Sequence, residues 1–261
     1  MLPILLLLQS AALPTFDEVR ARECQALVAA DPASATVNAA EWQRANGGHR
    51  AAACLASAYA AQEKFADASV QFQSAAQAAA NAGDALAAQY WAQAGNAAIA
   101  ARQPVEAVKF LKEALNFAAL TKTARANILI DRARAYVAAS DAENAKADLA
   151  EVRRIAPDNA AGWLLSATLA RRMRALADAQ NFIITAASLS ATDAGVALEA
   201  GNIAVSAGAY AVAREQWQQA VRIAPDSAQA HTARNFLAQL AQQQPESVKG
   251  TAPALAAPQE R

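Results

Sequence analysis

The chain has 261 residues, with 23 Lys+Arg against 23 Asp+Glu and a formal net charge of +0. The charges are interspersed, which excludes the basic face that nucleic acid demands and the cationic run that an anionic membrane surface attracts. Alanine makes up about 30% of the chain and glycine only 9 positions, so the composition favours helices that approach closely and an all-α fold.

In chain order, residues 1–12 read as a signal peptide. The apolar run through Leu8 is followed by Ser10-Ala11-Ala12, with Ser10 and Ala12 at the small-residue positions of a cleavage site. The run is too short to span a bilayer, which needs about 20 apolar residues. No other segment qualifies as a membrane span, and the expected location is periplasmic. Residues 13–48 read as a degenerate N-terminal helical pair. Thr15 or Asp17 can cap a first helix reaching about Ala30. Asp31-Pro32 then supplies an N-cap and a proline at the first helical position of a second, which ends near Asn46-Gly47-Gly48.

Residues 49–227 hold five helical units. Ala145, Leu149 and Ile155-Ala156-Pro157-Asp158 return as Ala213, Trp217 and Ile223-Ala224-Pro225-Asp226. Pro225 follows Pro157 by 68 residues, two periods of 34. A unit of that length cannot bury its own apolar face and must lean on its neighbours. Residues 228–243 read as a capping helix, polar at His231, Arg234 and Asn235. Residues 244–261, rich in proline and poor in core residues, read as a disordered tail.

The landmarks of these units resemble the tetratricopeptide repeat. Helix A carries Trp91, Gly95 and Ala98 in one unit and Ala197, Gly201 and Ala204 in another. Helix B carries Ala68, Phe72 and Ala75, or Ala213, Trp217, Ala220 and Pro225. The first two spacings are near 38 or 39 residues, and three units lack the closing proline. The resemblance implies a right-handed superhelical solenoid of antiparallel helix pairs. It also implies a concave groove lined by helix A. The groove residues it implies are Asn96, Ile130, Arg134, Leu164, Thr168, Arg171, Leu198 and Asn202. Chaperone-binding members of the family clamp a terminal carboxylate with lysine and asparagine. Asn96 and Asn202 match the asparagine, but the lysine place is apolar in every unit, so that specificity is not carried over. What remains is an apolar groove with amides and a basic sector, Arg134 with Arg171, suited to an amphipathic helix or an extended segment. Arg171 can equally serve to complement the dipole at the end of its own helix.

No catalytic or metal constellation is evident. His49 and His231 are far apart, and the cysteines do not form a Cys-x-x-Cys pair. No cofactor is expected, and no enzymatic activity. Cys24 and Cys54 would be small buried hydrophobes in a cytoplasmic protein. In an oxidising compartment an even count of two favours a disulfide between them. The expected function is a non-catalytic scaffold that holds a protein or peptide segment in envelope assembly or secretion. The alternatives are a self-associating structural subunit and an accessory subunit of a cell-wall enzyme.

Overall fold

The computed structural model describes residues 15–243. The expected signal peptide and the expected disordered tail therefore lie outside the described residues. Thirteen helices account for the described chain. They are α1 (Phe16–Ala30), α2 (Pro32–Arg44), α3 (Gly48–Ala61), α4 (Phe65–Asn81), α5 (Leu86–Ala100), α6 (Pro104–Leu115), α7 (Lys122–Ala138), α8 (Ala142–Ile155), α9 (Ala160–Arg172), α10 (Leu176–Leu189), α11 (Ala194–Ser206), α12 (Tyr210–Ile223) and α13 (Ala228–Gln243). The fold is all-α.

Local chemistry sets the helix starts. Thr15 and Glu18 form a capping box on α1, with Thr15 N–H donating to Glu18 Oε2 at 2.8 Å and Glu18 N–H to Thr15 Oγ1 at 3.3 Å. Asp31 accepts from the amides of Ala33 and Ser34, both at 3.1 Å, and Pro32 opens α2. Thr121, Asp141, Asn159 and Asp193 cap α7, α8, α9 and α11 in the same manner.

The turns between paired helices share one geometry. Glu63, Arg102, Ser140, Arg174 and Gly208 all have left-handed backbones, with φ between 59° and 77°. Beside each, the next amide bonds back to a carbonyl five residues earlier: Lys64 to Tyr59, Gln103 to Ala98, Asp141 to Tyr136, Ala175 to Ala170 and Ala209 to Ala204. This is the Schellman closure of a helix end. It recurs within each of the pairs α3/α4, α5/α6, α7/α8, α9/α10 and α11/α12, and also at Asn46 between α2 and α3 and at Gly83 between α4 and α5. Within the five pairs only Gly208 is a glycine; Glu63, Arg102, Ser140 and Arg174 carry side chains that adopt this conformation at a cost.

The chain divides into two compact units, one ending at Ala156 and the other starting at Pro157. The division falls at a proline that closes a helix B. In the first unit, α1 packs on α2 and α3, and each later helix packs on its neighbours in sequence, with α5 also touching α7. Alanines that are wholly buried, such as Ala56, Ala75, Ala98, Ala107 and Ala114, let the helices close up around Phe72, Trp91, Phe110 and Leu111. Gly95 is required there, because a Cβ would run into the Leu111 side chain. Arg132 of α7 donates from Nε and Nη2 to both carboxylate oxygens of Asp148 on α8, at 2.8 and 2.7 Å. The hydrogen bonds to that carboxylate push the guanidinium pKa up despite partial burial.

Trp42, Cys24, Cys54 and Leu55 form a core that joins the N-terminal pair to α3. Arg20 lies over the Trp42 ring at 5.0 Å. Cys24 and Cys54 are bridged, with Cα atoms 6.0 Å apart, a separation that a disulfide spans without backbone movement.

In the second unit, Ala167, Ile183, Ala186, Val196 and Ile203 make a core from α9, α10 and α11. Ala204, Ala213, Trp217, Ala233 and Leu240 continue it through α12 and α13. Among the described residues no helix is long and apolar enough to cross a membrane.

Candidate functional site: an aromatic cleft in the second unit

The second unit contains a cleft of about 370 Å³, lined by Arg171, Asn202, Val205, Ser206, Tyr210, Trp217, Phe236, Gln239 and Leu240. Its size suits a few residues of a bound chain. Four helices build it. Arg171 comes from the last turn of α9, and Asn202, Val205 and Ser206 from the end of α11. Tyr210 and Trp217 come from α12, and Phe236, Gln239 and Leu240 from α13.

The apolar wall is aromatic. The Trp217 and Phe236 ring centroids are 5.1 Å apart and tilted by 37°. Trp217 seats against Gly201, where a Cβ would collide with the indole. Tyr210 opens α12 and is 41% exposed, so its ring is presented to solvent at the cleft.

The polar side is a connected network. Arg171 donates from Nε to Glu199 Oε1 at 2.6 Å and from Nη2 to Oε2 at 3.3 Å. Asn202 donates from Nδ2 to Glu199 Oε2 at 3.2 Å, and its Oδ1 accepts from Trp217 Nε1 at 3.2 Å. The indole, the amide, the carboxylate and the guanidinium are thus one chain of bonds. Glu199 is buried and Arg171 partly buried, so the pair sits where screening is weak. Its two bonds to Glu199 use two of the five N–H groups a guanidinium offers.

The first unit holds a simpler cluster of the same residue types at its surface. Asn96 of α5 donates to Asp131 Oδ2 at 3.0 Å, and Arg134 of α7 donates to Asp131 Oδ1 at 3.0 Å. A second, smaller cleft of about 230 Å³ lies in this unit among Gln77, Trp91, Glu113, Asn116 and Phe117.

The residues expected to line a groove divide accordingly. Arg171 and Asn202 meet at the cleft. Asn96 and Arg134 meet on Asp131. Leu164 and Leu198 are half-buried and pack against the cores of the second unit. The Thr168 hydroxyl donates to its own helix, at Leu164 O. Ile130 is a correction: it is only 4% exposed and belongs to the core. Ile128, Leu129 and Ile130 are consecutive and all buried, because α7 is covered by α5, α6 and α8 together. Arg134 and Arg171, the expected basic sector, are each paired with a carboxylate.

Sequence reasoning passed over Asp131 and Glu199, although they are two repeat periods apart, and over Tyr210 and Phe236. His49 of α3 reaches Asp84 in the turn before α5 at 3.3 Å, and its ring lies tilted near that of Tyr90 on α5. His231 is exposed on α13. Among the described residues no cluster of three or more His, Cys, Asp or Glu could hold a metal ion.

No family model matches the chain, and no curated relative matches it. Several solved structures do. PilW, a widely conserved type IV pilus biogenesis factor, aligns with TM-score 0.68 and 15% identity, over 85% of this chain and 100% of PilW. PilF of Pseudomonas aeruginosa aligns with TM-score 0.62 and 16% identity, over 84% of this chain and 97% of PilF. YrrB, a tetratricopeptide-repeat protein with an unusual peptide-binding site, aligns with TM-score 0.50 and 16% identity, over 71% of this chain and 91% of YrrB. At such identities the likeness establishes the fold: the chain is built on the tetratricopeptide-repeat fold.

Proposed function

We propose that this chain is a non-catalytic, exported scaffold that holds an extended protein segment in the cleft of its second unit, in the service of an assembly process at the cell envelope. The observation that carries the reading is the pairing of an aromatic wall, Tyr210, Trp217 and Phe236, with the bonded polar side of Arg171, Glu199 and Asn202. An aromatic wall supplies large contact area at low ordering cost. Donors of Arg171 not used by Glu199 suit backbone carbonyls of a bound strand. Because Glu199 already neutralises Arg171, the cleft favours an apolar or proline-bearing segment over an acidic one.

Export is supported by the apolar start of the sequence and by the Cys24–Cys54 bridge, since disulfides persist in oxidising compartments. The envelope role is supported by the fold shared with PilW, a type IV pilus biogenesis factor. The reading requires a mature N-terminus near Leu13 in protein recovered from the native host. It also requires that the purified chain capture envelope protein segments and that Tyr210→Asp abolish the capture. A charge placed in a desolvated contact costs several kcal/mol, while at an exposed position in the free chain it costs little. Capture that survives Tyr210→Asp would place binding elsewhere, and an intact Met1 in a soluble cytoplasmic fraction would remove the envelope.

A further inference from the structure

The smaller cleft, within the first unit, differs in chemistry from the larger one. It is lined by Gln77, Ala80, Trp91, Glu113, Asn116 and Phe117. Gln77 and Ala80 stand near the end of α4, which closes at Asn81. Glu113 stands in the last turn of α6, which closes at Leu115, and Asn116 and Phe117 follow it. Two helices thus end at one cleft, and a helix C-terminus carries partial negative charge that favours a cation. The chain's own Arg125 already answers to one of these ends, donating from Nη2 to Leu115 O at 3.3 Å.

The polar side chains of the cleft add acceptors. Gln77 Nε2 donates to Asn81 Oδ1 at 3.1 Å, and Asn116 Nδ2 donates to Glu113 Oε2 at 3.3 Å. Each amide therefore spends a donor inside the protein. No hydrogen bond among the described residues uses Gln77 Oε1, Asn116 Oδ1 or Glu113 Oε1. Glu113 is exposed and joins no ion pair among the described residues, whereas Glu199 of the second unit is neutralised by Arg171. Trp91 and Phe117 contribute aromatic surface, and the Trp91 ring is held by stacking on Phe110, with centroids 5.8 Å apart.

We propose that this cleft takes an arginine side chain of a protein partner. A guanidinium offers five N–H donors and no acceptor, the complement of a site with unused acceptors and one unpaired carboxylate. Its plane stacks on aromatic rings and its fork meets a carboxylate bidentately, which an ammonium does not reproduce. The volume of about 230 Å³ lies below the range of drug-sized ligands and suits a single long side chain. The inference goes beyond the reading of the larger cleft, because every residue in it belongs to the first unit.

The test uses the full chain, labelled with heavy nitrogen for NMR, and N-acetyl-arginine amide as the probe. Ionic strength is kept low, since salt screens an exposed carboxylate. The readout is the indole N–H signal of Trp91, assigned by its loss in Trp91→Phe. The signal is expected to shift saturably with a Kd of about 5 mM, within reach of so small a ligand. N-acetyl-citrulline amide, similar in shape but uncharged, and N-acetyl-lysine amide are each expected to bind about fivefold more weakly. Glu113→Gln, a change of charge at an exposed position, keeps the fold and is expected to weaken the arginine probe about fivefold. An equal response to the arginine probe and either analogue, an affinity unchanged by Glu113→Gln, or no saturable shift up to about 50 mM would each overturn the assignment. None of these results touches the larger cleft, whose reading is decided by capture through Tyr210.

Discussion

Asp131 and Glu199 hold equivalent places in repeats two periods apart, and each gathers one asparagine and one arginine onto a single carboxylate. The two partners exchange places: Glu199 takes its arginine from the preceding repeat and its asparagine three residues on, Asp131 the reverse, and the surroundings differ as well. The Asp131 and Arg134 side chains are 18% and 52% exposed, while those of Glu199 and Arg171 are 9% and 23% exposed. Exposed pairs contribute little, whereas removing one member of a buried pair leaves a charge without compensation. Glu199→Ala is therefore expected to destabilise the second unit by about 2–3 kcal/mol, and Asp131→Ala to cost about 0.5 kcal/mol or less. Urea unfolding followed by helicity and by tryptophan fluorescence measures both. Equal effects would show that burial does not distinguish the two clusters.

Gly201 underlies the Trp217 indole so closely that a methyl group has no room. Alanine would normally favour the helix by about 1 kcal/mol over glycine. Here the collision with a buried ring outweighs that gain, and Gly201→Ala is expected to destabilise by about 1–3 kcal/mol. It should also alter Trp217 fluorescence, because the indole must move from Asn202 Oδ1. A stabilised variant with unchanged fluorescence would contradict the packing at the cleft wall.

Much of the fold was legible in the sequence because its signals are local. Thr15, Asp31 and Pro32 announce helix starts by chemistry that needs no distant partner. Gly95 and Gly201 mark close approaches at the repeat spacing. A left-handed turn was legible at Asn46-Gly47-Gly48, where Asn46 and Gly48 both have positive φ; Glu63, Arg102, Ser140 and Arg174 are residues that rarely signal such a turn. The site was less legible. Arg171 and Asn202 follow from their places on helix A, but the carboxylate that joins them faces the same interface and carries no motif of its own. Tyr210 and Phe236 become a wall only when α12 and α13 pack against α11, which no single helix pattern encodes. Ile130 was misplaced for a related reason, since a helix covered on several sides has no free apolar stripe to offer.

The Cys24–Cys54 bridge closes a separation of 30 residues and fastens α1 to α3. On the chain-entropy account a loop of this size contributes about 3 kcal/mol. Replacing both cysteines by serine is expected to lower the stability of the first unit by roughly that amount. The unfolded, unreduced protein should take up no alkylating label. Two labelled thiols per chain would show that the bridge is absent from the mature protein.

Two acidic groups tie the N-terminal helices to pH. Glu18 has its pKa lowered, first by the backbone hydrogen bond at Thr15, and Asp31 has its pKa lowered, first by the Ser34 hydroxyl. A carboxyl whose folded pKa is lowered adds stability above its unfolded value and loses it as pH falls through the folded value. The ordinary values are about 4.3 for Glu and about 3.9 for Asp. Order at the starts of α1 and α2 is therefore expected to be constant down to about pH 4 and to fall below it. NMR chemical shifts of Glu18 and Ser34 amides would follow this, and Thr15→Ala should shift the Glu18 transition toward its ordinary value. Because that change keeps the Thr15 N–H, a transition unaffected by it would show that the hydroxyl adds nothing to the lowering, and one moved the whole way to the ordinary value would contradict the backbone hydrogen bond as its first cause.

The claim that the cleft of the second unit holds a protein segment is tested most directly by photo-crosslinking in the native host. A photoreactive phenylalanine derivative replaces Tyr210 in one strain and the exposed Val70 of α4 in another. The account predicts discrete protein crosslinks from position 210 and none shared with position 70, each lost when Glu199→Ala disorders the polar side of the cleft. Crosslinks of the same pattern from both positions, or none from position 210 in cells that express the protein, would contradict it.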